Sequence, residues 1–152
     1  MSRGREEVGS LEEVPKDRYY TKTHEWLLVI SGNKVRIGIT SYAAKQLGDL
    51  TSVEVKPIGT DIKKDEPFGI IESAKTSEYL YSPVSGRITA VNKEAGVLEE
   101  KEEVFAVGEL ERITEDPYGE GWLIELEANN LEVEIKELWS HEEYEKYISS
   151  LS

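Results

Sequence analysis

The sequence predicts a mostly β protein, a small barrel or sandwich with one short internal helix and a helical C-terminus. Three observations carry this. Short runs alternate with a period of two, with Val53 and Val55 against Glu54 and Lys56, and later Ile124 and Leu126 against Glu125 and Glu127. Gly- and Pro-containing turns interrupt these runs along the chain. After Asn129-Asn130 the pattern shifts toward helical spacing.

Glu25 to Ile30 reads as a strand, Ser31-Gly32-Asn33 as turn residues, and Lys34 to Ile39 as the returning strand of a hairpin. Thr40-Ser41 offers an N-cap to a two-turn helix over Tyr42 to Leu47, closed by Gly48. Thr51 to Ile58 alternates again, and Gly59-Thr60-Asp61 breaks it. After the polar turn Lys63 to Pro67, extended runs at Phe68–Glu72 and Tyr79–Ser82 flank Ser73-Ala74-Lys75-Thr76-Ser77. Pro83-Val84-Ser85-Gly86 makes a bend into a strand over Arg87–Val91. The last strand spans Gly121 to Ala128, with Trp122, Ile124 and Leu126 on one face. Leu131 to Trp139 holds a short helix. Ser140-His141-Glu142-Glu143 is a capping-box pattern opening a terminal helix that packs back through Tyr144, Tyr147, Ile148 and Leu151.

A chain of 152 residues suits a single domain. Residues 1–17 read as a flexible arm and 18–152 as the domain, with an acidic insertion at about 93–115. A short helix from Leu98 to Val104 and a strand after it are the expected structure there. The charge of −13 repels phosphate backbones and anionic lipid, so neither nucleic acid nor a membrane is an expected partner. No apolar run reaches membrane-span length and no apolar leader opens the chain, which reads as cytoplasmic. There is no cysteine, and with only His24 and His141 no metal site is expected.

By local sequence alone Lys75 is an ordinary solvated lysine at a turn. The wider spacing gives it meaning. Glu72-Ser73-Ala74-Lys75 is followed, eight residues after the lysine, by Pro83-Val84-Ser85-Gly86. Upstream stand His24-Glu25-Trp26, Gly38-Ile39-Thr40 and Leu47-Gly48-Asp49; downstream stands Pro117-Tyr118-Gly119-Glu120-Gly121-Trp122. With these blocks, from about Tyr20 to Ile148, the chain resembles the H protein of the glycine cleavage system, a lipoyl carrier family.

The resemblance implies a lipoyl/biotinyl-type barrel-sandwich hybrid with Lys75 on an exposed hairpin tip, bearing a covalent lipoate. It implies a non-catalytic carrier that shuttles an aminomethyl group from glycine decarboxylase (P protein) to aminomethyltransferase (T protein) and is reoxidised by dihydrolipoamide dehydrogenase (L protein). Lipoate attachment enzymes are further implied partners, and Gly59, Glu72 and Gly86 align with positions they recognise. For Gly59 and Gly86, turn geometry is an equal and compatible reason. Thr23 and Glu25 align with residues of the cleft that holds the loaded arm. Glu25 there pairs with the carried amine, or is simply an exposed acid beside Trp26. His24 reads as a structural hydrogen-bonding residue, and Trp26, Trp122 and the terminal helix as core. Biotin is disfavoured, because Ala74 and Thr76 replace the methionines that flank a biotinyl lysine.

The chain departs from the family pattern at Gln46, where a histidine can occur, and at Tyr79, where an acid is usual, with Glu78 one residue early. Ala74 replaces a valine, and the connection from Asn92 to Asp116 is longer than usual. These departures keep a second carrier reading open, an H-protein-like lipoate carrier of a heterodisulfide-reductase-like sulfur-oxidation pathway.

Overall fold

The computed structural model describes residues 14–92, 96–97 and 110–151. Among the described residues ten strands form two sheets: β1 Tyr19–Tyr20, β2 Glu25–Ser31, β3 Lys34–Ile39, β4 Leu50–Val55, β5 Asp61–Ile62, β6 Pro67–Ser73, β7 Ser77–Tyr81, β8 Gly86–Val91, β9 Gly96–Val97 and β10 Ile124–Ala128. The six-stranded sheet runs β1-β2-β3-β10-β8-β5 and the four-stranded sheet β7-β6-β4-β9. All pairs are antiparallel except β4 with β9. The helices are α1 Ser41–Leu47, α2 Glu111–Glu115, α3 Leu131–Glu134 and α4 His141–Ser149, with a 3-10 turn at Ile135–Glu137. This is the mostly β, two-sheet architecture that the alternation and the resemblance imply.

The main core fills the space between the sheets. Register sets Ile124 opposite Ile37, and Leu126 opposite both Val35 and Ile88. All five are fully buried and meet Val53, Val55, Ile71 and Leu80 of the other sheet. Each such side chain contributes roughly 1.5–3 kcal/mol by leaving water. A second cluster, Val14, Tyr20, Trp26, Tyr144 and Ile148, lies under α4. Trp26 faces Gly38 across the β2–β3 pair, and a Cβ on Gly38 would come within 2.5 Å of the indole. The indole N–H donates to the Pro117 carbonyl at 2.9 Å, which anchors the loop before β10 to β2. Val14, within the stretch read as an arm, is buried here.

Local signals translate directly. Gly32 takes φ +57 in the β2–β3 turn. The Thr40 hydroxyl caps α1, and the Gly48 N–H closes that helix on the Ala44 carbonyl at φ +76. In α4 the Ser140 hydroxyl accepts from the Glu143 N–H, and the Glu143 carboxylate accepts from the Ser140 N–H. Ser140→Ala removes half of this box. It is expected to lower unfolding free energy by about 1 kcal/mol, read from urea denaturation, because the Glu143 N–H loses its side-chain acceptor.

Several expectations need correcting. The break at Gly59-Thr60-Asp61 is followed at once by β5, whose Ile62 is buried against β8. Strand β4 ends at Val55, and Ile58 is 63% exposed. Trp122 sits at the edge of the core: it packs half-buried against the second cluster and under the Arg36 guanidinium, 4.9 Å from its ring centroid. The strand proper starts at Ile124, three residues after the expected Gly121, and the Asn92 amide donates to the Glu120 and Trp122 carbonyls ahead of it. Leu151 is exposed, and α4 packs through the buried Tyr144 and Ile148 with Tyr147 half-buried beside them. The helix over Leu131 to Trp139 is split into α3 and the 3-10 turn. Within 93–115, Ile113 of α2 is fully buried; the helix expected at 98–104 and the strand after it lie outside the described residues.

Candidate functional site

Lys75 stands in the three-residue turn, 74–76, between β6 and β7. Ser73 N–H donates to the Thr76 carbonyl at 2.8 Å, which closes the hairpin. The Ser73 hydroxyl oxygen accepts from the Lys75 and Thr76 N–H groups at 3.2 and 3.3 Å. One serine thus holds both backbone donors of the tip, the local device by which Ser and Thr stabilise turns. Lys75 is exposed, so a rigid backbone presents a free ε-amine. Glu72 is also exposed, and its carboxylate accepts from Ser77 across the hairpin.

The lysine stem leans over the end of α1. A Cβ on Gly48 would lie 3.3 Å from Lys75 Cε. Gly48 caps α1, and its lack of a side chain also makes room for this stem.

Beside Lys75 opens a cleft of about 520 Å³ between α1, β7 and the turn entering β2. Ile39, Leu47, Ile71 and Leu80 give it apolar walls, and Gln46 and Tyr79 stand in its rim. The structure therefore brings Lys75, Thr23 and Glu25 together around one cavity. Gly59 and Gly86 are elsewhere. Gly86 opens β8, beyond the end of β7 farthest from the tip, and the Gly59 N–H donates to Ile88 of the same strand at 2.8 Å.

Glu25 is not the exposed acid of one sequence alternative; it is 1% exposed. Its carboxylate accepts from the Thr21 hydroxyl at 2.8 Å, from the Thr23 hydroxyl, and from the Tyr81 N–H at 2.9 Å. None of these three partners is charged. Burial therefore dominates and pushes the Glu25 carboxyl up to about 7, while the hydrogen bonds work the other way. The hydroxyls on Thr21 and Thr23, alternating with Glu25, were the available sequence signal for this cradle. The Tyr81 contact had none, since it comes from 56 residues away.

His24 forms the other side of the wall. Its Nδ1 lies 2.8 Å from the Tyr144 hydroxyl, so its role is a hydrogen-bonded one. Burial lowers its pKa, which favours the neutral imidazole. Among the described residues no helix is long and apolar enough to cross a membrane.

A sequence profile described as "Glycine cleavage H-protein" matches residues 18–151. The chain is 54% identical to a protein named "Probable glycine cleavage system H protein" from Korarchaeum cryptofilum, over 90% of this chain and 96% of that one. It is 44% identical to the "Glycine cleavage system H protein" of Carboxydothermus hydrogenoformans, over 89% and 94%. A crystal structure of a glycine cleavage system H protein from Mycobacterium marinum superposes with a TM-score of 0.71 at 33% identity, covering 90% of this chain and 99% of that one.

Proposed function

The chain belongs to the glycine cleavage H-protein family, and from that premise we propose that Lys75 bears a covalently attached lipoyl arm that rests in the adjoining cleft with Glu25 facing its cargo. The observation that carries this is a single juxtaposition: the lysine at the apex of a serine-locked turn, beside an apolar cavity whose wall holds one buried carboxylate.

The residues present fit such a group. The ε-amine is exposed for an attachment enzyme, and Ser73 keeps the tip in one conformation for it to recognise. Ile39, Leu47, Ile71 and Leu80 offer apolar wall to a hydrocarbon chain. When attached, lipoate supplies a disulfide that opens to carry an amine-bearing one-carbon unit between enzymes. The protein's own part is placement. Glu25 offers a water-poor carboxylate to a cationic amine, where the attraction exceeds that in bulk water. An arriving cation in turn draws Glu25 down from about 7 into its ionised form. Glycine decarboxylase, aminomethyltransferase and dihydrolipoamide dehydrogenase are the partners this role requires, in the cytoplasm, with the chain itself catalysing none of their steps.

The sulfur-oxidation carrier rests on the departures at Gln46, Tyr79, Ala74 and the long Asn92 to Asp116 connection, and the relatives support the glycine cleavage reading. The test is the intact mass of protein from its native host. Wild type is expected to carry a lipoyl increment and Lys75→Arg none; an unmodified wild type would sink the carrier role. Glycine–bicarbonate exchange with a glycine decarboxylase then separates the two carriers.

A further inference from the structure

His24 has a backbone conformation that asks for an explanation. Its φ is +74, a left-handed geometry uncommon for a residue with a side chain. It sits in a reversal: His24 N–H donates to the Thr21 carbonyl at 3.1 Å, and Thr21 N–H to the Glu25 carbonyl at 3.0 Å. This reversal is what sets the Thr21 and Thr23 hydroxyls around the Glu25 carboxylate.

The His24 ring is fixed from two other elements. Its centroid lies 4.7 Å from that of Tyr42 on α1, and 5.8 and 6.0 Å from those of Tyr144 and Tyr147 on α4. The fully buried Tyr144 hydroxyl stands 2.8 Å from His24 Nδ1 and 2.6 Å from the Thr40 hydroxyl. Thr40 caps α1, which supplies Tyr42, Ala43, Gln46 and Leu47 to the cleft. The Thr40 N–H also donates to the His24 carbonyl at 3.0 Å. With its proton on Nε2, His24 accepts at Nδ1, and the chain of donors then runs from the Ala43 N–H to Thr40, to Tyr144, to His24. One hydroxyl on α4 therefore ties together both walls of the cavity.

We propose that His24 is a positioning residue for Glu25, held in its left-handed conformation by α4 through the Tyr144 hydroxyl, so that the terminal helix sets the cargo end of the cleft. This rests on the reading of Glu25 as the residue that faces the carried amine. A histidine that only filled space would destabilise the whole fold when loosened and would leave the Glu25 cradle no looser than the rest.

The discriminating measurement is amide hydrogen exchange on the full-length lipoylated protein. The Tyr81 N–H donates to Glu25 and so reports where that carboxylate sits. In Tyr144→Phe, Tyr81 is expected to exchange about tenfold faster relative to the slow amides of β3 and β10, because the buried Thr40 hydroxyl and the half-buried His24 ring lose their shared partner. His24→Asn keeps a side chain that tolerates the left-handed conformation but lacks the ring. It is expected to show the same selective loss, and it carries the test if Tyr144→Phe does not fold. An unchanged ratio, or a uniform rise across all amides, overturns the proposal. The intact mass of the same sample judges the carrier reading separately.

Discussion

Wild-type protein is expected to lose about 3 kcal/mol of unfolding free energy through Glu25 as pH rises from about 5 to about 8, and Glu25→Gln to abolish that loss. The folded carboxyl is raised by burial to about 7 from a reference of 4.5. Between those values the folded state holds a proton that the unfolded state has released. Stability therefore has its full Glu25 contribution below the unfolded pKa and loses it as pH climbs through the folded one. Glutamine keeps a carbonyl for the Tyr81 N–H and an amide for the threonine hydroxyls, without a charge to desolvate. His24 acts in the opposite direction, since burial lowers its pKa and its contribution grows as pH rises toward 6.5. That term is common to both proteins, so the difference between their urea-unfolding profiles isolates Glu25. Parallel profiles would mean that the cleft does not desolvate this acid.

The same residue marks where sequence reading stops. The hairpin tip, α1 and the α4 capping box were legible because each depends on residues within a few positions. Glu25, Trp26 and Leu27 are all buried in succession, which no period-two rule anticipates. The reason is tertiary: Leu27 faces the inter-sheet core, while Trp26 faces the cluster under α4. β2 is thus covered on both sides at its start. Trp122 fails in the reverse sense. A tryptophan in an alternating run reads as core, but here it packs at the core's edge, and Arg36, held by Glu125 at 2.7 Å, covers the indole at the surface. Pairing with Arg36 also buries Glu125, which the alternation assigns to solvent.

Gly86→Ala is expected to cost at least about 3 kcal/mol, a fall of roughly 10 °C in Tm for a chain of this size, while its folded fraction is still lipoylated at close to the wild-type rate. An added Cβ would lie 2.5 Å from the Glu127 carbonyl oxygen and 2.9 Å from Ala128 Cα. Both are backbone atoms of β10, paired to β8 in register, so neither can swing aside without opening the sheet. The glycine proposed as an attachment-enzyme determinant thus has a complete structural reason of its own. Gly59 differs: nothing lies within 4 Å of its added Cβ, and its φ of +98 leaves only backbone strain, about 1–2 kcal/mol. Comparing the two variants in a ligase assay below both melting points separates recognition from folding. A lipoylation rate that falls in folded Gly86→Ala would assign the glycine to the enzyme's footprint. A rate that holds while Tm drops leaves recognition to what surrounds the tip itself, where Glu72, Ser73 and Gly48 stand next to Lys75.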